Sequence, residues 1–83
     1  MKAKVYVTLK KIISDPKGAA VKASLNQLGW QEVQEVRMGK YIEIEIQNMP
    51  KEQAEKKVQA MCEKLLANEV METYQIEIVE GQK

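Results

Sequence analysis

Eighty-three residues, 45% apolar and 30% charged, make one small soluble domain whose core is only marginally sufficient, so association with other chains is a natural supplement. A formal net charge of +1 gives no electrostatic reason to expect nucleic acid or an anionic membrane as a partner. With no histidine, no Walker loop, no GxGxxG fingerprint and a single cysteine, the chain lacks the commonest general base, a phosphate cradle and any internal disulfide, and catalysis by this chain alone is not expected.

The first element, Lys2 to Lys10, alternates Val5, Val7 and Leu9 with Lys4, Tyr6, Thr8 and Lys10, the period of a half-buried strand. No signal core precedes it and no window is long enough to cross a membrane, which points to a cytoplasmic protein. Ser14-Asp15-Pro16 reads as a helix start, with Asp15 as the cap and Pro16 at the first helical position. Val21, Leu25 and Leu28 form one stripe, expected to lie on the sheet; Gly29 closes the helix, with Trp30 placed to pack over its end.

From Val33 to Ile46 the chain alternates again, with Val36, Met38, Ile42, Ile44 and Ile46 on one parity and Arg37, Tyr41, Glu43 and Glu45 on the other. Run straight, this stretch would span roughly 46 Å at about 3.3 Å per residue, too long for a domain about 30 Å across. It is therefore expected both to bend at Gly39 and to pair its overhang with a second copy. Asn48-Met49-Pro50 then breaks the pattern. A second helix opens at Lys51, with Ala54, Val58, Met61, Cys62 and Leu65 as its apolar stripe, and is expected to close near Ala67-Asn68 with the asparagine left-handed. A last strand, Thr73 to Val79, sets Tyr74, Ile76 and Ile78 against Gln75, Glu77 and Val79, and the tail from Glu80 to Lys83 is expected to fray.

These elements predict an α+β, two-layer sandwich of order β-α-β-α-β, a ferredoxin-like variant with an antiparallel sheet, both helices on one face and the middle strand bent, or split in two, at Gly39. The other face stays open, where Lys4, Lys10 and Arg37 can meet Glu43, Glu45 and Glu77 across strands beside Tyr6 and Tyr41. Paired charges and tyrosines suit a protein partner; the glutamates next to Tyr41 disfavour an RNA-stacking face. Cys62 falls in the apolar stripe of the second helix and reads as a core residue. Asp15-Pro16-Lys17-Gly18 could seat a small anion as in ligand-sensing regulatory domains, but Asp15 already offers its charge to the same N–H groups, so a plain cap is preferred. Arg37 and Lys40, on either side of Gly39, default to solvated charges, with an interface contact nearly as well supported.

Three segments together resemble a known family. Val5 to Lys10 followed by Asp15 to Gly18, then Val33 to Glu43, then Cys62 to Tyr74, look like PurS, the small subunits of bacterial and archaeal phosphoribosylformylglycinamidine synthase, and the similarity covers nearly the whole chain. The resemblance implies a single domain over residues 1–83 and a non-catalytic role in de novo purine synthesis. A glutaminase subunit, PurQ, releases ammonia, and a synthetase subunit, PurL, uses ATP to couple it to formylglycinamide ribonucleotide. The small subunit dimerises, bridges the other two and helps ammonia pass; it implies no cofactor, metal or nucleic acid. On this reading Tyr6, Arg37, Gly39, Lys40, Tyr41 and Glu43 are expected to form the self-association surface, as a homodimer or larger homo-oligomer. Asp15, Pro16, Gly18, Asn68 and Tyr74 are expected to meet the larger subunits. A free-standing ligand-sensing domain is the alternative.

Overall fold

Alternating side chains in three segments build three strands, and a computed structural model describes them within residues 1–80; of the tail expected to fray, residues 81–83 lie outside the described part. Strand β1 (Lys2–Leu9) is followed by helix α1 (Pro16–Gln27), strand β2 (Gly39–Glu45), helix α2 (Lys51–Met61) and strand β3 (Glu72–Val79). The sheet order is β2-β1-β3, with β1 antiparallel to both neighbours. Val5 stands opposite Ile42 on one side and Ile76 on the other, so the apolar parities of all three strands share one face. Among the described residues the order is β-α-β-α-β, with three strands.

Because β2 and β3 both run against β1, they are parallel to each other and cannot be joined by a tight turn. The connection must cross the sheet, and α2 makes that crossing. It buries Ala54, Val58 and Cys62 with Ala3, Val5, Val7 and Ile78 in the one apolar core. Full burial of side chains such as Val5, Val7 and Val58 contributes roughly 1.5–3 kcal/mol each. The last turn of this helix departs from the expected stripe. Cys62–Leu66 forms a π turn, closed by the Ala67 N–H donating to the Cys62 carbonyl at 3.0 Å. The wider turn rotates the side chains that follow, leaving Leu65 83% exposed and drawing Leu66 toward the core in its place. Met61 also lies on the rim, at 36% exposure. Nor is Asn68 left-handed, since no residue other than glycine has a positive φ among the described residues.

Helix α1 begins and ends as its sequence predicts. The Asp15 carboxylate accepts from the Gly18 N–H, Pro16 takes the first turn, and Gly29 closes the helix at φ +116°. The Gly29 N–H donates to Asn26 and the Trp30 N–H to Leu25, a Schellman closure. Its position is the correction. Among the described residues α1 has no substantial packing on any strand, Leu28 is 72% exposed and Trp30 51% exposed. The physical reason lies in the connection: β1 and β2 are antiparallel neighbours, so nothing compels the chain between them to cross the sheet.

The long middle strand is shorter than expected as well. Pairing starts at Gly39, and the stretch 33–38 runs outside the ladder along α1 rather than as a bent continuation of the strand. A β-carbon on Gly18 would sit 2.0 Å from the Val36 carbonyl oxygen, so glycine is what lets α1 and this stretch touch. The result is a flat, long molecule of 48 × 30 × 14 Å, a packed body of sheet and α2 with an arm of α1 and residues 33–38 at one end.

Candidate interaction site

The arm joins the body through hydrogen bonds that use the residues singled out in the sequence. Asp15 is buried; one carboxylate oxygen accepts from the Gly18 N–H at 2.9 Å and the other from the Met38 N–H at 2.7 Å. Those two backbone donors, Met38 first, hold its carboxyl below the usual carboxylate range. Arg37 turns back over the β1–α1 connection and donates to the carbonyls of Lys10 and Ile13, both at 2.9 Å. Gly39 lies so close to β1 that a β-carbon would stand 2.6 Å from the Val7 carbonyl oxygen.

The turn between α2 and β3 closes on the same end. The Asn68 side chain accepts from the Val70 N–H at 3.0 Å, its carbonyl accepts from Met71, and its own N–H donates to Glu72 at 2.8 Å. This local Asx turn replaces the left-handed closure. Glu72 also pairs with Lys40 at 3.7 Å, reaching across the end of β1, and Lys10 donates its N–H to Met71. A hollow of about 410 Å³ results, lined by Leu9, Pro16, Lys17, Met38, Lys40 and Glu72 among others.

The structure thus brings the Asp15–Gly18 and Asn68–Tyr74 segments to one end of the sheet, with residues 37–40 between them. It also sorts the expected contacts. Pro16 and Asn68 are exposed there, whereas Asp15 and Gly18 are buried and serve the junction, and Tyr74 lies half-buried on the helix side, its hydroxyl 3.5 Å from Glu63. With the first N–H groups of α1 facing Asp15, a small anion has no free cradle there, which favours the plain cap over a ligand-sensing loop.

On the open face Tyr6 and Tyr41 sit side by side, ring centroids 5.2 Å apart. Tyr41 donates to Glu43 at 2.7 Å, a bond that, with partial desolvation, pushes its phenol up to about 12. Tyr6 donates to Glu77 at 3.1 Å, and that bond raises its phenol too. The expected cross-strand ion pairs are rearranged: Glu43 takes Lys2 at 3.3 Å, Glu77 takes the Tyr6 hydroxyl, and Arg37 serves backbone carbonyls. The cause is register, because Lys4 faces Glu43 and Glu77 at once while Lys2 and Tyr6 reach them from neighbouring positions. Sequence reasoning missed Met38 and Glu72 at the junction; the only signal was their place beside Arg37 and the α2–β3 turn.

Cys62 is fully buried and its thiol is pushed up by that burial, as suits a core residue. Among the described residues no group of three or more His, Cys, Asp or Glu side chains is placed to hold a metal ion, and no helix is long and apolar enough to cross a membrane.

Comparison with known proteins places these features in context. The profile of the PurS family, described as phosphoribosylformylglycinamidine (FGAM) synthase, matches residues 2–80. A Bacillus subtilis relative, phosphoribosylformylglycinamidine synthase subunit PurS, is 47% identical over 79 residues, covering 95% of this chain and 93% of its own length. The crystal structure of Methanocaldococcus jannaschii PurS superposes with a TM-score of 0.88 at 38% identity over 98% of both chains. A chain in the structure of PurLQS from Thermotoga maritima superposes with a TM-score of 0.85 at 31% identity, covering 94% of this chain and 95% of that one.

Proposed function

Because this chain belongs to the PurS family, we propose that it is the small, non-catalytic subunit of phosphoribosylformylglycinamidine synthase, the ligase that makes FGAM from formylglycinamide ribonucleotide, ATP and glutamine in de novo purine synthesis. The observation that carries this reading is the match along nearly all of both chains to a subunit within the PurLQS structure. We assign it as one domain, acting in the cytoplasm, that bridges a synthetase subunit and a glutaminase subunit and helps ammonia pass between them. The partner surface is the end of the sheet where Pro16, Lys17 and Asn68 stand exposed around the hollow. Self-association uses the β2 side: Gly39 and Lys40 at its start, and Tyr41, Glu43 and the neighbouring Tyr6 on its open face, with Arg37 holding the arm in place.

Reconstitution tests the reading. Synthetase and glutaminase subunits are supplied with ATP and ribonucleotide, with and without this chain, using glutamine or ammonia as nitrogen source. Glutamine is expected to support turnover only when the chain is added, while ammonia works without it. A chain that changes neither rate and co-elutes with neither subunit contradicts the assignment.

A further inference from the structure

The inner face of the sheet changes character at one end. Along β1 the side chains of Ala3, Val5 and Val7 are fully buried, whereas Leu9, next on the same parity, is only half-buried. Lys40 stands opposite Val7 and Glu72 opposite Leu9, so the apolar layer runs out into charge where the hollow of about 410 Å³ opens. The acids there are engaged within the chain. Asp15 accepts from the Gly18 and Met38 N–H groups, and Glu72 accepts from the Asn68 N–H at 2.8 Å. The cations are not. Among the described residues Lys17 has no ion pair, and the Lys40 ammonium stands 3.7 Å from Glu72, beyond hydrogen-bond length. Lys10 and Lys11 follow β1 at the same end, also without an ion pair among the described residues. Beside them Ile12 is 89% exposed, and Val70 and Met71 are exposed on the α2–β3 turn. A chain of net charge +1 thus gathers uncompensated lysines around exposed apolar groups at one end.

We propose that the hollow receives an acidic anchor from a larger subunit: an Asp or Glu side chain on an apolar loop, its carboxylate taken by Lys17 and Lys40 and its apolar neighbours by Leu9 and Met38. Charge complementarity selects such a loop, since a basic rim around apolar contacts steers an acidic partner and rejects a basic one. Although Lys40 belongs to the start of β2, its ammonium reaches toward Glu72 of β3 across the end of β1. It therefore leans over the inner face and away from the free strand edge. A free small anion fits less well. The backbone N–H groups that would cradle it at the start of α1 face Asp15, which leaves it two flexible lysines.

The anchor rests on the subunit reading above and gives the chemistry of its partner surface. Its test measures, in the reconstituted synthetase, the concentration of this chain that gives half-maximal glutamine-dependent turnover. Lys17→Glu is expected to raise that concentration at least about tenfold, while Lys17→Arg, and Lys56→Glu on the solvent side of α2, stay within about twofold of the wild type. Added salt should narrow the gap between wild type and Lys17→Glu. Melting temperatures should agree, because Lys17 and Lys56 are exposed. A Lys17→Glu curve that matches the wild type overturns the anchor and leaves the subunit reading standing. A wild-type chain that restores no turnover and co-elutes with neither large subunit removes both. Loss of mass by light scattering in isolated Lys17→Glu gives the hollow to a second copy. A melting temperature raised by inorganic phosphate or glutamate in the wild type but not in Lys17→Glu, with turnover curves alike, gives it to a small anion. Either result overturns the anchor.

Discussion

Helices α1 and α2 are nearly equal in length, 12 and 11 residues, and each carries apolar residues at helical spacing, yet only α2 is seated on the sheet. Amphipathicity separates them in part, being much stronger in α2, and connectivity completes the difference. α2 links two parallel strands on opposite sides of β1 and must cross the face between them, whereas α1 links antiparallel neighbours and is free to leave. The body is therefore held by burial, and the arm by hydrogen bonds and one glycine contact at its root.

That contrast can be broken from either side. The largest effect falls on the body: Val58→Asp places an unpaired charge in the core and is expected to cost more than about 4 kcal/mol, abolishing the cooperative thermal transition. Gly18→Ala acts on the arm. A methyl group meeting a backbone oxygen forces α1 away from residues 36–38, costing about 2 kcal/mol, read as a lowered melting temperature with β-sheet dichroism retained.

Asp15→Asn sharpens the comparison through pH. Its folded carboxyl titrates below the unfolded value, so the stability it adds is present above the usual carboxylate pKa and lost as pH falls through the depressed one. Asparagine also turns a donor toward the Met38 N–H. Urea denaturation from pH ~6 to pH ~2 should show a shallower acid loss in the variant. The smallest effect concerns the open face. Tyr41 should ionise near 12 in a spectrophotometric titration, and Glu43→Gln should bring it back toward 10.0. With a raised phenol pKa, the contribution to stability holds below the unfolded value and fades as pH rises through the folded one.

Strand parity was legible in the sequence because each strand has one covered face and one open one, and the Asp15-Pro16 start was legible because its chemistry is local. The π turn was not. Cys62, Leu65 and Leu66 fit an α-helical stripe as well as a widened one, and only the core decides which leucine turns inward. The place of α1 was hidden for a different reason: an apolar stripe predicts that something will cover it, and carries no information about whether the cover belongs to the same chain. At the junction, Asp15 and Gly18 stood out by spacing, but their internal roles depend on Met38 and Val36, some twenty residues away.

Hydrogen exchange tests most directly whether the body is held by burial and the arm only at its root. Amides of β1, α2 and β3 should exchange only through global unfolding, and those of residues 16–38 faster, through local opening. Equal protection of arm and body would contradict that division.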